Sequence, residues 1–138
     1  MKYLLDTNVI SELQKSNCNE NVKSFINTVH WEELYLSVFT IGELVYGVEK
    51  LVTSKKKHDL SLWLYTDLPE WFKGRIMSLD TEVLIEWGKL RARTKRTLPA
   101  VDSLIAASAI VHHMFLVTRN VNDFDGIEGI NLLNPWEF

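Results

Sequence analysis

Short apolar runs separated by segments with helical periodicity are the feature of this sequence that most restricts its fold. The runs are too apolar to have one face in water, which is typical of strands buried on both sides in a parallel sheet. They predict four strands, at Lys2–Leu5, Leu34–Phe39, Phe115–Val117 and Ile130–Leu133. Because parallel strands need long connections between them, the alternation predicts a three-layer α/β/α fold with a central, mainly parallel sheet.

The intervening segments carry apolar residues three and four positions apart, as amphipathic helices do. One helix is predicted to begin near Ser11, and the others at Asn21–His30, Thr40–Val52, His58–Leu68, Thr81–Arg96 and Ala100–Val111. Thr40 at the N-cap and Glu43 at N3 have the pattern of a capping box. Pro99 is predicted within the first turn of the last helix, where a missing N–H does no harm. No linker or repeat divides the chain, so we expect one domain over residues 1–138.

Charge and composition limit the classes of function. The net charge of the 138 residues is −3, which argues against a protein that coats nucleic acid by bulk attraction. Two basic runs, Lys55–Lys57 and Arg91–Arg96, are either solvated surfaces or guides for a phosphate backbone. Cys18 is the only cysteine, and no apolar segment is long enough for a signal peptide or a membrane span. We therefore expect a cytoplasmic protein.

Three acidic residues are placed where the predicted fold would bring them together. Asp6 directly follows the first strand, Glu43 follows the second, and Asp102 lies near the start of the last helix. In an open α/β sheet, ligands bind in the crevice beyond the carboxyl ends of the strands. Carboxylates that converge there repel each other and need a cation or a shared proton. Mg²⁺ prefers such hard oxygen ligands and supports hydrolysis of phosphodiesters, so the sequence predicts a metal-dependent hydrolase.

Each of these acids also has a purely structural interpretation. Asp6 could be the N-cap of the segment after the first strand. Glu43 could accept the backbone N–H of Thr40 in the capping box and take no part in chemistry. Asp102 could complement the helix dipole. The sequence leaves both interpretations open for each residue, and only the joint placement of the acids favours a site.

Four motifs occur here in the order seen in PIN-domain proteins: Leu4–Ile10, Thr40–Leu44 with Gly47, Leu98–Ala106, and Leu116–Asn120 with Asp123 and Phe124. Over nearly its whole length the chain resembles this family, and in particular the VapC and FitB type toxins of type II toxin–antitoxin systems. The resemblance implies an endoribonuclease that depends on Mg²⁺ or Mn²⁺ and cleaves RNA. It also implies inhibition by a cognate antitoxin, which could insert a cationic side chain into the acidic centre, and a homodimer.

The resemblance further implies roles for individual residues. Asp6, Glu43 and Asp102 would bind the metal. Side chains that support this centre would be Asn8, Ser11 and Thr118, and candidates for contact with the substrate are Arg93, Arg96 and Arg119. The sequence departs from the family at the fourth acidic position, where many members have aspartate and this chain has Asn120. Either Asp123 supplies the remaining carboxylate, or Asn120 orients a water beside three acids.

Other classes of protein could use a similar arrangement. A module with the same fold but no chemistry would serve only for interaction. A magnesium-binding phosphoacceptor domain or a phosphatase with an aspartyl nucleophile would also place acids at strand ends. Both would want a second acid close behind Asp6, where this chain has Thr7 and Asn8, so both are disfavoured.

Overall fold

Five parallel strands form the centre of the molecule, and the computed structural model describes all residues from Met1 to Phe138. The strands are β1 (Tyr3–Leu5), β2 (Leu34–Ser37), β3 (Ile76–Met77), β4 (Phe115–Val117) and β5 (Asn131–Leu133). Their order across the sheet is β3-β2-β1-β4-β5, and every neighbouring pair is parallel. The predicted α/β class is confirmed. Because the chain leaves β1 on one side to β2 and later returns on the other side to β4, the carboxyl end of β1 lies at the topological switch point.

Seven α-helices connect the strands. They are α1 (Thr7–Leu13), α2 (Glu20–Thr28), α3 (Val38–Glu49), α4 (Lys55–Leu62), α5 (Leu68–Trp71), α6 (Thr81–Arg93) and α7 (Ala100–Val111). A π-helical segment joins α4 to α5, and three 3₁₀ segments complete the chain: Trp31–Glu33, Val121–Phe124 and Pro135–Glu137. A membrane span would need a longer and more apolar helix than any of these.

The core consists of two apolar clusters, one on each face of the sheet. Neighbouring residues of a strand point to opposite faces, so Leu4 joins one cluster and Leu5 the other. The first cluster packs against α6 and α7 through residues such as Val83, Leu90 and Ile105, and the second contains Phe25. Each fully buried large side chain contributes roughly 1.5–3 kcal/mol to folding. This packing confirms the predicted three layers.

The start of α3 differs from the prediction. Ser37 ends β2, and its hydroxyl accepts a hydrogen bond from the N–H of Phe39 at 3.1 Å, so Ser37 is the N-cap. The predicted capping box is therefore wrong: Thr40 lies inside the helix and Glu43 in its second turn. The physical reason is that serine offers the same capping chemistry three residues earlier, directly where the buried strand ends.

Other element boundaries also differ. The first helix begins at Thr7 rather than near Ser11, and the predicted helix at His58–Leu68 is divided among α4, the π-helical segment and α5. The helix passes Pro69 because this residue lies in the first turn of α5, where its missing N–H costs little. Likewise α6 ends at Arg93, and Pro99 is the N-cap of α7. The strand β3 has only two residues and was not predicted.

Candidate active site

Asp6 lies between β1 and α1, at the centre of the sheet edge. Its backbone N–H still pairs with the carbonyl of Val117 on β4 at 2.9 Å. Its Oδ1 accepts a hydrogen bond from the N–H of Thr7 at 2.8 Å, so the side chain caps α1. Only 9% of the residue is exposed. Asp6 is thus a helix cap, as the structural interpretation expected, and also a charge buried at the predicted site.

The hydroxyl of Thr118, the first residue after β4, donates a hydrogen bond to Oδ2 of Asp6 at 2.9 Å. This direction follows from the neighbouring groups. The N–H of Arg119 donates to Oδ1 of Asn8 at 3.2 Å, which fixes the orientation of that amide. The hydroxyl of Thr118 then accepts from Nδ2 of Asn8 at 3.3 Å and from the N–H of Asn120 at 3.1 Å. With both neighbours donating, the hydroxyl proton is left for Asp6.

Glu43 is held by a hydrogen bond from α1. The hydroxyl of Thr7 donates to Oε1 of Glu43 at 2.8 Å and lies 3.3 Å from the hydroxyl of buried Thr40. Glu43 is exposed, yet this contact directs its carboxylate toward the end of β1. Thr7 is a site residue that the sequence analysis missed. The available signal was a hydroxyl directly after the aspartate that ends the first strand.

Asp102 is the third residue of α7 and is half-buried. Burial raises the pKa of its carboxyl most, and the charges of Asp6, Asp123 and Glu43 raise it further, whereas Arg96 opposes them. The pKa of Asp6 is raised by burial and then by Glu43 and Asp123, against the hydrogen bonds from Thr118 and Thr7. Acidic residues from four separate segments therefore act on one another at the same edge of the sheet.

Asp123 and Asn120 occupy different positions relative to this centre. The backbone N–H of Asn120 donates to Thr118, and Asn120 is the N-cap of the 3₁₀ segment Val121–Phe124. Asp123 lies within that segment, and its charge raises the pKa of both Asp6 and Asp102. The structure thus brings the charge of Asp123 to bear on the acidic centre, and the fourth carboxylate remains a prediction.

The donor chemistry of this centre suits a hard divalent cation. All four side chains offer carboxylate oxygens, and burial together with the neighbouring charges disfavours the ionised forms of Asp6 and Asp102, which a cation would stabilise. As the side chains stand, no three acidic, histidine or cysteine residues lie close enough to ligate one ion. Mg²⁺ commonly takes only one or two protein carboxylates and retains several waters, so the donor set fits this ion as an open site.

The three arginines predicted to contact substrate make intramolecular contacts. Arg93 forms an ion pair with Glu86 at 2.8 Å and donates to the carbonyl of Glu128 at 3.0 Å. Arg96 donates to two carbonyls of the segment after β4. Arg119 lies over the ring of Trp136, 5.0 Å from its centroid. Contact of these residues with a phosphate backbone stays a prediction.

A groove leads away from the acidic centre between α1, α3 and α4. Thr7, Ser11 and Glu43 line its near part, a cavity of about 260 Å³ that extends past Lys56 to Trp63. Trp63 also lines a second, mostly apolar cavity of about 330 Å³, together with Ile10, Leu13, Trp31, Leu68 and Trp71. Ser11, which was predicted to support the acidic centre, lies in the first of these cavities. We name the two cavities together the α1–α4 groove.

Comparison with known proteins agrees with this geometry. A model of the PIN domain matches residues 3–129. Toxin FitB of Neisseria gonorrhoeae is 35% identical over 136 residues, which cover 96% of this chain and 97% of FitB. VapC ribonuclease Y4jK of Sinorhizobium fredii is 31% identical, with 97% of each chain covered.

A solved structure of FitAcB from Neisseria gonorrhoeae has the same fold. It superposes with a TM-score of 0.91 at 34% identity and covers 99% of each chain. The matched region contains the ends of β1 and β4 and the starts of α3 and α7, where the acidic residues lie. The chain therefore belongs to the PIN-domain family, among its FitB- and VapC-type toxins.

Proposed function

We propose that this protein is the toxin of a type II toxin–antitoxin pair and an endoribonuclease that depends on Mg²⁺ or Mn²⁺. The observation that carries the proposal is that acidic residues from four segments, Asp6, Glu43, Asp102 and Asp123, lie at one edge of the sheet, where the charges of Glu43 and Asp123 add to burial in raising the pKa of both Asp6 and Asp102. The nuclease names of similar proteins support the same reaction class. An RNA target inside the cell would make the cytoplasm its place of action.

Asp6, Glu43 and Asp102 would hold the metal, with Asp123 as the fourth acid. A divalent ion bound there supplies a water of lowered pKa for attack on phosphorus and stabilises the charge on the leaving oxygen. The chain's own hydroxyls keep the carboxylates in place: Thr118 holds Asp6 and Thr7 holds Glu43. Such supporting hydrogen bonds orient metal ligands and are commonly as important as the ligands themselves.

Substrate recognition would depend on phosphate contacts. With a net charge of −3, the chain has no general attraction for RNA, so local cations have to offset the acidic centre. Arg119 follows Thr118 directly, and its side chain is exposed. We propose that Arg119, together with Arg93 and Arg96, contacts the RNA backbone. In this role these residues would add affinity without reading base sequence.

The α1–α4 groove is the surface that we propose for the antitoxin. It joins an acidic end at Glu43 to an apolar wall that includes Trp31 and Trp63. A segment with an apolar face and one arginine or lysine would match both parts, and the cation would occupy the acidic centre. Inhibition would follow because the bound cation competes with the metal. The family resemblance also favours a homodimer.

A catalytically silent interaction module is the alternative. The observation that favours it is the open spacing of the acids, since no three of them close around one point. Direct measurement of metal binding and RNA cleavage separates the two functions.

The variant Asp6→Asn tests the proposed reaction. Asparagine can still cap α1, so we expect the fold to persist while a charged metal ligand is lost. RNA cleavage by the purified variant in Mn²⁺ should fall by more than about 100-fold, beyond the effect of supporting residues. Asp67→Asn is the control, because Asp67 is exposed in the π-helical segment, outside the acidic centre. Unchanged cleavage by Asp6→Asn would refute the assignment of Asp6, and wild-type protein that binds Mn²⁺ without cleaving RNA would favour the silent module.

A further inference from the structure

Two arginines donate hydrogen bonds to the backbone of the segment that carries Asp123. Arg96, in the loop between α6 and α7, donates from Nη2 to the carbonyl of Asp123 at 2.6 Å and from Nε to the carbonyl of Asp125 at 3.0 Å. Arg93, at the end of α6, donates to the carbonyl of Glu128 at 3.0 Å. Arg96 binds the backbone of Asp123 and not its carboxylate, which makes no hydrogen bond or ion pair within the chain.

The segment also makes contacts of its own, since the N–H of Asp123 donates to the carbonyl of Asn120 at 3.0 Å. Phe124 is buried in the core on the α6–α7 side and anchors the chain there, but Asp123 beside it is exposed. Gly126 and Gly129, with φ values of 83° and 92°, then turn the backbone in a conformation that other residues rarely adopt. The two hydrogen bonds from Arg96 therefore hold the backbone on each side of Phe124.

The position of Arg96 also connects it to the acidic centre. It follows α6 and precedes α7, the helix that carries Asp102, and its positive charge acts on Asp102. Arginine suits this place because its planar fork can donate two hydrogen bonds at once, whereas lysine offers one point charge on a flexible stem. Arg93 lacks this link, since it pairs with Glu86 on its own helix.

We propose that Arg96 is a positioning residue that holds Asp123 beside Asp6 and Asp102 and so strengthens binding of the divalent cation. The inference rests on the proposed metal site and gives Arg96 a role in addition to the proposed contact with RNA phosphates. It also chooses Asp123, and not Asn120, as the fourth group of the centre.

The direction in which Mn²⁺ affinity changes when Arg96 is removed distinguishes positioning of Asp123 from a direct effect of the arginine's charge. A positive charge near the acids repels a cation, so removing Arg96 would tighten metal binding if charge were its only influence. If Arg96 positions Asp123, its removal weakens binding. Isothermal titration of the whole protein with Mn²⁺ measures this directly and does not depend on cleavage. We expect Arg96→Ala to weaken Mn²⁺ binding by about 10-fold, the lower end for supporting residues.

A double-mutant cycle tests whether Arg96 acts through Asp123. Asp123→Asn alone should also weaken Mn²⁺ binding, and Arg96→Ala added to Asp123→Asn should cause no further loss. Arg96→Lys, which keeps the charge with a single donor group, should fall between wild type and Arg96→Ala. The matched control is Arg75→Ala, which also removes an arginine that donates to backbone carbonyls, those of Trp31 and Leu34, but at the opposite end of β2, and it should leave Mn²⁺ affinity unchanged. Thermal unfolding of each variant confirms that it is folded.

Unchanged or tighter Mn²⁺ binding by Arg96→Ala would overturn the inference, as would additive losses in the double variant or no Mn²⁺ binding by wild type. RNA cleavage measured in parallel separates this result from the proposed function. Wild type that binds Mn²⁺ without cleaving RNA refutes the ribonuclease while the cycle still decides the role of Arg96. Cleavage by wild type with additive losses refutes the role of Arg96 alone.

Discussion

Thr118 controls the acidic centre at the scale of a single residue, although it is fully buried. Its one hydroxyl serves three neighbours, since it donates to Asp6 and accepts from Asn8 and Asn120. Every hydrogen-bonding capacity of the group is used. The carboxylate of Asp6 is thereby fixed from the side of β4, while the N–H of Thr7 fixes it from the side of α1.

We expect Thr118→Val to reduce both stability and metal affinity. The variant leaves Nδ2 of half-buried Asn8 and the N–H of exposed Asn120 without this acceptor and takes a donor from Asp6. The free energy of unfolding should fall by about 1–3 kcal/mol. Urea unfolding and calorimetry with Mn²⁺ measure the two effects, and Thr118→Ser, which keeps the hydroxyl, is the control. A valine variant with wild-type stability and Mn²⁺ affinity would contradict the role assigned to the hydroxyl.

Helix α3 shows how an element places a functional group. Its N-cap at Ser37 sets where the helix begins, and this puts Glu43 in the second turn, within reach of the hydroxyl of Thr7. A start at Thr40 would move Glu43 into the first turn and occupy its carboxylate with capping. The position of the cap therefore leaves the carboxylate of Glu43 free of capping and available to the proposed site.

The variant Ser37→Ala tests this dependence. Loss of the cap should lower the free energy of unfolding by about 1 kcal/mol and weaken Mn²⁺ binding, because α3 carries Glu43. Ser54 caps α4 through the N–H of Lys57 at 3.1 Å, so Ser54→Ala is a matched control. It should lower stability without changing the affinity for Mn²⁺, as measured by denaturant unfolding and calorimetry. Equal effects of the two variants on metal binding would argue against the proposed link.

The acidic residues at the edge of the sheet make the stability of the whole molecule depend on pH. Folding raises the pKa of Asp6 and Asp102 above the ordinary value of 3.8. The folded protein therefore holds these protons more tightly than the unfolded chain does. Their contribution to stability is fully present below the unfolded pKa and is lost as the pH rises through the folded pKa. At neutral pH the metal-free centre thus opposes folding.

Replacing Asp102 by asparagine should remove part of this destabilisation at neutral pH. In EDTA at pH 7 we expect the free energy of unfolding of Asp102→Asn to exceed that of wild type by about 0.5–2 kcal/mol. The difference should shrink as the pH falls through the raised pKa of folded Asp102 and should be absent below 3.8, where the aspartate is protonated in both states. Urea unfolding across this pH range measures it.

The exposed acid Glu82, in the first turn of α6, provides the control through Glu82→Gln. This variant reports the loss of a helix-dipole interaction alone and should be slightly destabilising. A pH-independent effect of Asp102→Asn, or a loss of stability at pH 7, would mean that burial and repulsion by the other acids do not together dominate the effect of this carboxyl on stability.

The sequence was sufficient for the features that depend on local pattern. The bounds of α7 and β4 agree with the prediction, because a proline before a small-residue helix and a short apolar run are strong local signals. The same patterns place Asp6 and Asp102 at one edge of the sheet. Features set by tertiary contacts were not accessible: β3 is two residues long, and the π-helical segment has no sequence signature.

Competing signals explain the other differences. Ser37 and Thr40 are both good N-caps, and only the end of the buried strand β2 decides between them. The contact from Thr7 to Glu43 joins residues 36 positions apart, and those from Arg96 to the segment after β4 join residues 27 and 29 apart. Such pairings depend on how the helices pack around the sheet, which periodicity does not specify.

The backbone N–H of Thr118 is bonded to the carbonyl of Leu133 at 2.9 Å, so the last strand braces the residue that holds Asp6. During synthesis on a ribosome, residues 102, 118 and 123 emerge before residue 133, and β4 cannot take its final place beside β5 until that residue has also emerged. A nascent chain therefore lacks the assembled acidic centre. Assembly of this centre thus depends on a strand that follows all of its acids in the order of translation.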